Sequence, residues 1–137
     1  MIKVVIDTNI WISFMIGKAL KGFEKYINKK IKIITSEEQI KEIISVLFRE
    51  KFRKYFSTDD IKELLFLILK VSDLVEIKHN IFDCRDKKDN FILEMAVNGD
   101  ADIIVTGDKD LLVLHPYRNI SILNYKEFEE IMEKISK

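Results

Sequence analysis

The sequence predicts a three-layer α/β/α fold, in which a central, mainly parallel five-stranded sheet lies between helices. Short runs of β-branched residues alternate with longer segments of helical periodicity along the whole chain. Strands joined by helices form parallel sheets through right-handed crossovers. Runs such as KVVI and DIIV are nearly all apolar, as expected for strands buried on both faces. The length of 137 residues fits one domain, so we expect a single domain over residues 1–137.

Five short apolar runs are predicted to form the strands. They are rich in valine and isoleucine, which favour extended backbone because they are branched at Cβ. In chain order they span Lys3–Ile6, Lys32–Thr35, Leu74–Ile77, Ile103–Val105 and Ile120–Leu123.

Helices are predicted between these strands from apolar residues spaced three or four apart. The first contains Leu20, Phe23 and Ile27, and Gly17 and Gly22 leave its ends undefined. The second begins with a capping box of Ser36 and Gln39, and the third is predicted to be capped by Thr58. The second helix would bury Ile40, Ile43, Ile44, Leu47 and Phe48, and the third Leu64, Leu65, Ile68 and Leu69.

Two further helices are predicted in the second half. One starts near Asp89, and the last is capped by Asn124 and Glu127. Their buried positions would be Ile92, Leu93, Ala96 and Val97 in the first, and Phe128, Ile131, Met132 and Ile135 in the second.

Four stretches each place a carboxylate where an apolar run gives way to a turn or a helix. These acids are Asp7, Glu42, Asp89 and Asp108. Asp7 and Asp108 directly follow strands, and sites in open α/β sheets form beyond the carboxyl ends of the strands. Glu42 and Asp89 lie near helix N-termini. Because clustered carboxylates bind divalent cations, the pattern predicts a metal-dependent active site.

The local sequence leaves structural roles open for Asp7 and Asp89. Asp7 could instead cap a helix or form an Asx-turn, and Asn9 could orient its carboxylate. Asp89 lies three residues before Ile92 and seven before Ala96, on the inward stripe of its helix. A carboxylate there needs a cation or a basic side chain, unless the residue is half-exposed in the first turn.

Asp108 and Glu42 are less clearly marked. Thr106 offers a hydroxyl beside Asp108, and Gly107 allows a sharp turn, but Asp108 and Asp110 could also form a surface turn. Glu42 points nearly opposite to the predicted stripe of its helix, so the residues alone favour a solvated glutamate. Glu37 and Glu38 compete for its role, and Asp83, Asp86 and Asp110 are further acids that fit supporting roles.

Charge is distributed unevenly although the formal net charge is zero. Residues 1–56 carry 12 Lys and Arg against 6 Asp and Glu, whereas residues 57–137 carry 11 against 17. A basic surface beside an acidic one suits a protein that holds a phosphate backbone near a metal. The cluster Arg49, Lys51, Arg53 and Lys54 is the candidate RNA-binding patch, although each cation could simply be solvated.

Several classes of protein are disfavoured. The N-terminus has no signal-peptide pattern, and the apolar runs are too short to span a membrane. The single cysteine, Cys84, excludes an internal disulfide, and without a His/Cys cluster no zinc site is expected. We therefore expect a cytoplasmic protein that does not associate with membranes.

Four segments together resemble the PIN-domain ribonucleases, and more narrowly the VapC-like toxin components of prokaryotic toxin–antitoxin pairs. They cover nearly the whole chain, and the third is the most specific. They read VVIDTNIWIS, SEEQIKEIISVLFREKF, DCRDKKDNFILEMAVNGDADIIVTGDKDLLVL and ISILNYKEFEEI.

The resemblance implies a PIN-like (Rossmann-like) sheet of strand order 3-2-1-4-5 and an acidic pocket that binds Mg²⁺ or Mn²⁺. Carried over by residue, the catalytic and metal-binding acids are Asp7, Glu42, Asp89 and Asp108. Asn9 and Thr106 would support them. Asp86 competes with Asp89, and Asp110 with Asp108; the offsets from Ile92 and Ala96 favour Asp89.

The function implied is that of a metal-dependent endoribonuclease, a hydrolase of single-stranded or structured RNA. The resemblance also implies a small antitoxin as inhibitor and a homodimer. The alternative is a catalytically silent PIN-like module that binds RNA or a protein.

Overall fold

Five parallel strands form one sheet in the computed structural model, which describes residues 1–17, 24–27 and 29–136. The strands are β1 (Ile2–Ile6), β2 (Ile31–Thr35), β3 (Ser72–Leu74), β4 (Ile103–Val105) and β5 (Ser121–Leu123). Their order is β3-β2-β1-β4-β5, and every neighbouring pair is parallel. The predicted fold and strand order are confirmed.

The third strand lies earlier in the chain than predicted. It spans Ser72–Leu74 rather than Leu74–Ile77, and Val75 makes one further hydrogen bond from its N–H to the carbonyl of Thr35 (2.9 Å). Val75 and Ile77 instead pack against the core on one face of the sheet. Their apolar character therefore reflects packing beyond the strand rather than pairing within it.

Two layers of helices cover the sheet because side chains alternate along each strand. Val4 and Ile6 of β1 belong to one core cluster, and Val5 belongs to the other. The described helices are α1 (Thr8–Gly17), α2 (Glu37–Leu47), α3 (Glu50–Arg53), α4 (Thr58–Val71), α5 (Asn90–Asn98), α6 (Lys109–Leu112) and α7 (Tyr125–Ser136). Helices α1, α2, α4 and α7 contribute to the first cluster, and α5 and α6 to the second.

The predicted first helix falls partly outside the described residues. Leu20, Gly22 and Phe23 lie outside the described residues. Ile27 is buried but forms a bridge with Ile31, so the helical prediction is wrong at that position. The amide of Ile31 donates to the carbonyl of Tyr26 (3.1 Å), which closes a turn that leads into β2.

Helix α2 is rotated relative to its predicted orientation. Its buried residues are Gln39, Ile43, Val46 and Leu47. Ile40 and Ile44 are half-buried, and Phe48 is 47% exposed. Ser36 caps the helix as predicted, since its Oγ accepts from the Gln39 amide (3.1 Å), but the Gln39 side chain does not complete the capping box.

Helices α5 and α7 follow their predictions more closely. Ile92, Leu93 and Ala96 are buried in α5. In α7, Phe128 and Met132 are buried, whereas Ile135 is 41% exposed. The capping box before α7 is confirmed: Asn124 Oδ1 accepts from the Glu127 amide (2.8 Å), and Glu127 Oε1 accepts from the Asn124 amide (3.0 Å).

The cap of α4 is Ser57 rather than the predicted Thr58. Ser57 Oγ accepts from the Asp60 amide (3.1 Å), and Asp60 Oδ2 accepts from the Ser57 amide (2.8 Å). Thr58 is the first residue of the helix. A cap at Ser57 puts Asp60 three residues later, where its carboxylate completes the capping box, whereas a cap at Thr58 would put the apolar Ile61 there. The position of the aspartate therefore makes Ser57 the cap.

Replacing Ser57 with Ala should lower the free energy of unfolding by about 1 kcal/mol, because the Asp60 amide loses its acceptor, the Ser57 hydroxyl. Thr58→Ala should change it by a few tenths of a kcal/mol at most, since helix propensity favours Ala. Urea unfolding of both variants measures the difference. A larger loss in Thr58→Ala than in Ser57→Ala would assign the cap to Thr58.

Within the described ranges, no helix is both long and apolar enough to cross a membrane.

Candidate metal centre

Asp7 lies at the carboxyl end of β1, where the chain passes directly into α1. It is 6% exposed, and its carbonyl accepts hydrogen bonds from the amides of Ile10 (3.0 Å) and Trp11 (3.1 Å). The residue therefore also begins the helix, as the alternative interpretation predicted. Burial raises the pKa of the carboxyl, and the backbone amides of Asn9 and Thr8 oppose that shift. Asn9 thus acts on Asp7 through its backbone, and the residue is itself exposed.

Thr106 joins Asp7 to Asp108 across the end of the sheet. Its hydroxyl donates to Asp7 Oδ2 (2.6 Å) and accepts from the Asp108 amide (3.0 Å), and the residue is fully buried. Asp108 in turn caps α6, since its Oδ1 accepts from the Asp110 amide (2.8 Å). Asp108 is close enough for its charge to raise the pKa of Asp7. Strands β1 and β4 thereby bring two carboxylates together at one edge.

The turn after β4 does not depend on a glycine at position 107. None of the described glycines has a positive φ, and a Cβ on Gly107 would meet no atom within 4 Å. The turn into α6 is made by the Thr106 and Asp108 side chains instead.

Removal of the Thr106 hydroxyl should destabilise the fold. In Thr106→Val the buried Asp7 carboxylate loses its side-chain donor and the Asp108 amide loses its acceptor. The free energy of unfolding should therefore fall by about 1–3 kcal/mol. Thr106→Ser should lose less, because the hydroxyl remains. Chemical denaturation of the two variants tests this, and equal stability of Val and wild type would remove Thr106 from the network.

Asp89 approaches the same edge from the opposite layer. It ends a 3₁₀ turn (Lys87–Asp89) that leads into α5. Burial, a hydrogen bond with Asp108, and the charges of Asp108, Asp7 and Asp86 raise the pKa of Asp89 to about 7. Asp89 Oδ2 is buried and has no hydrogen-bond partner among the described residues. Two ionised carboxylates in this arrangement require a proton or a cation between them.

The donor set fits Mg²⁺ or Mn²⁺, because both ions prefer oxygen ligands and Asp89 offers a buried carboxylate oxygen without a hydrogen-bond partner. The acids are not already gathered at coordination distance: within the described residues, no three His, Cys, Asp or Glu side chains could hold a metal as they stand. Asp7, Asp89 and Asp108 interact through their charges, and a hydrogen bond joins Asp89 to Asp108.

The other acids of this region serve as turn and loop contacts. Asp86 Oδ1 accepts from the Lys88 amide (3.0 Å) and caps the 3₁₀ turn, while its charge acts on Asp89. Asp83 accepts from the Tyr117 hydroxyl and lies 3.8 Å from Arg118 Nη2. Asp110 contributes its amide to the Asp108 cap.

Asn90 is a supporting residue that the sequence did not reveal. It is 6% exposed, and its Oδ1 accepts from the Cys84 amide (2.9 Å). This bond holds the loop before Asp86 against the start of α5, next to Asp89. The signal in the sequence was an asparagine directly before an apolar helical run, since a buried amide needs partners.

Glu42 is half-buried in α2, one turn after Gln39. No described residue forms a hydrogen bond or ion pair with its side chain. The rotation of α2 nevertheless moves it to the flank of the buried face, whereas the predicted stripe would have placed it opposite. The geometry thus unites Asp7, Asp89, Asp108 and Thr106. Glu42 lies on the flank of α2 and shares no hydrogen bond or ion pair with them.

The basic cluster lies away from these acids. Arg49 precedes α3 and Lys51 and Arg53 lie within it. Helix α2 separates them from β2 by 11 residues, about 16 Å along its axis. Lys51 Nζ lies 5.0 Å from the centre of the Phe52 ring, and Tyr55 is 76% exposed.

Comparison with known proteins identifies the family of this chain. A PIN-domain family model matches residues 3–110. The chain is 37% identical over 145 residues to the uncharacterized protein MJ1680 of Methanocaldococcus jannaschii, covering 97% of this chain and 93% of that protein.

Two crystal structures share the fold at 13% identity. VapBC2 from Rickettsia felis, bound to a DNA fragment from its promoter, has a TM-score of 0.61 over 90% of this chain and 98% of that one. PAE2754 from Pyrobaculum aerophilum has a TM-score of 0.62 over 97% of this chain and 90% of that one. The family match and the identity to the archaeal relative show that the chain belongs to the PIN-domain family, whose members are generally nucleases.

Proposed function

We propose that the protein is a divalent-metal-dependent endoribonuclease in which Asp7, Asp89 and Asp108 hold Mg²⁺ or Mn²⁺. The observation that carries the proposal is the buried, unpartnered Asp89 oxygen beside Asp108 and within electrostatic reach of Asp7. Membership of the PIN-domain family supports it. A carboxylate cluster without a basic partner is costly unless it binds a cation.

The residues divide between binding and positioning. Asp7, Asp89 and Asp108 would bind the metal, and Glu42 would bind it or orient the attacking water. Thr106 fixes Asp7, while Asp86 and Asp110 hold the turns that carry Asp89 and Asp108. Asn9 supports Asp7 through its amide. The bound ion would supply a water of lowered pKa and would stabilise the leaving oxygen.

RNA is the proposed substrate, in single-stranded or structured form. Arg49, Lys51, Arg53 and Lys54 would bind its backbone at a distance from the acids, which suits a substrate several nucleotides long. The likeness to VapBC2 supports a toxin role with a small antitoxin partner. We also propose a homodimer in the cytoplasm.

Cleavage of a labelled single-stranded RNA by the purified protein tests the activity. Cutting should require Mn²⁺ or Mg²⁺ and should stop when EDTA is added. If metal binds without cleavage of any RNA tested, the nuclease proposal fails; absence of both metal binding and cleavage would favour the silent binding module.

A further inference from the structure

Gln39 is a polar residue at the centre of the buried face of α2. It is fully buried, its Oε1 accepts from the Thr35 hydroxyl (2.7 Å), and its Nε2 donates to the Ile6 carbonyl (2.5 Å). Ile6 immediately precedes Asp7. The side chain therefore ties the first turn of α2 to the end of β1 that carries the candidate metal ligand.

The sequence of α2 offers two faces that could be buried. One is the predicted stripe from Ile40 to Phe48, and the other contains Ile43, Val46 and Leu47 with Gln39 at its centre. The two differ by a rotation of about 80° at 100° per residue. The second face is adopted although it leaves Phe48 47% exposed. The hydrogen bonds of Gln39 favour this setting, because Thr35 and the Ile6 carbonyl are buried and need partners.

We propose that Gln39 is a positioning residue that sets the rotation of α2 and thereby aims Glu42 at the metal centre. In the alternative setting Glu42 would lie about 165° from the middle of the buried face, whereas it now lies about 85° from it. The proposal rests on the proposed nuclease function, in which Glu42 binds the metal or orients water. Gln39 would contact neither the metal nor the attacking water, and would act only through the position of Glu42.

Gln39→Met tests this role, because methionine has a similar volume and cannot form the two hydrogen bonds. We expect the affinity for Mn²⁺, measured by calorimetry, to fall, and kcat for RNA cleavage to fall by about 10–100-fold, as for small misplacements of a catalytic group. KM for RNA should stay unchanged. In a Glu42→Gln background the same substitution should have little further effect on either quantity.

Asn98→Leu is the matched control. Asn98 also forms several hydrogen bonds, to the backbone of Lys78, His79 and Glu94, but it lies at the far end of α5 from Asp89. Its loss should lower stability without changing Mn²⁺ affinity or kcat. The proposal would be overturned if Gln39→Met lowered Mn²⁺ affinity and kcat equally in the wild-type and Glu42→Gln backgrounds. It would also be overturned if Gln39→Met kept the wild-type Mn²⁺ affinity and kcat.

A labelling experiment tests the rotation without metal or RNA. A thiol at the exposed position 41 (Lys41→Cys) should react more slowly with an alkylating reagent once Gln39→Met lets α2 turn. A thiol at position 45 (Ser45→Cys) should react at an unchanged rate, because that position faces outward in both settings. If labelling changes as expected but wild type neither binds Mn²⁺ nor cuts RNA, the nuclease proposal fails and the aiming of Glu42 at a metal fails with it. Unchanged labelling at position 41 would refute control of rotation by Gln39.

Discussion

Asp7→Asn is expected to abolish RNA cleavage while leaving the fold intact. The proposed ion would stabilise the transition state by about 4 kcal/mol or more, so loss of Asp7, the most buried of its proposed ligands, should lower kcat by at least about 10³-fold. Stability should hold or rise. Burial and the charge of Asp108 both disfavour the ionised Asp7, and a neutral amide removes that penalty while its oxygen still accepts from Thr106.

The variant should be measured by single-turnover RNA cleavage and by thermal unfolding without metal. Asp102→Asn is the matched control: its carboxylate accepts a hydrogen bond from the Lys3 amide (2.9 Å) at the opposite end of the sheet. Asp102→Asn should cleave normally. Undiminished cleavage by Asp7→Asn would place the active site elsewhere.

The sheet could be predicted because its strands differ from the helices in periodicity, and because all-parallel pairing follows from helical crossovers. The predictions of helix orientation and capping were wrong where the hydrogen bonds of polar side chains, rather than the pattern of apolar residues, determine the structure. In α2, Gln39 occupies a core position through hydrogen bonds that no periodicity shows. Before α4, the cap depends on which of Ser57 and Thr58 is spaced correctly from Asp60.

The residues of the candidate site likewise fall into those that local sequence indicated and those that depend on distant partners. Asp7 and Asp108 were predictable, because each directly follows a strand and β1 and β4 are adjacent in the sheet. Asp89 was indicated by its offsets from Ile92 and Ala96, although it lies in the 3₁₀ turn just before α5 rather than within the helix. Glu42 was not, since its orientation depends on the rotation of α2; only the family resemblance indicated it. Asn90 and Gln39 escaped because their roles arise from partners distant in the chain.

The stability of the metal-free protein should depend on pH through Asp89. Its pKa is about 7 in the folded state and near 3.8 when unperturbed. Between these values the folded protein keeps a proton that the unfolded chain has lost, so stability should fall as pH rises from about 4 to 7 and level off above. Asp89→Asn cannot ionise, and its stability relative to wild type should therefore grow over this range. Urea unfolding at several pH values with EDTA measures the difference. A difference that does not change with pH would mean that Asp89 is ionised without cost.

With Mn²⁺ present, the same carboxyl should give the opposite slope. Binding requires the ionised form, so Mn²⁺ affinity should rise with pH up to about 7, and binding below that pH should release protons. Calorimetry in two buffers of different ionisation enthalpy counts the protons released. Proton release that persists in Asp89→Asn would assign the titration to another acid, such as Asp7. The burial that makes an ionised Asp89 unfavourable in the metal-free protein is thus the property that makes a cation favourable there, and a single carboxyl accounts for both slopes.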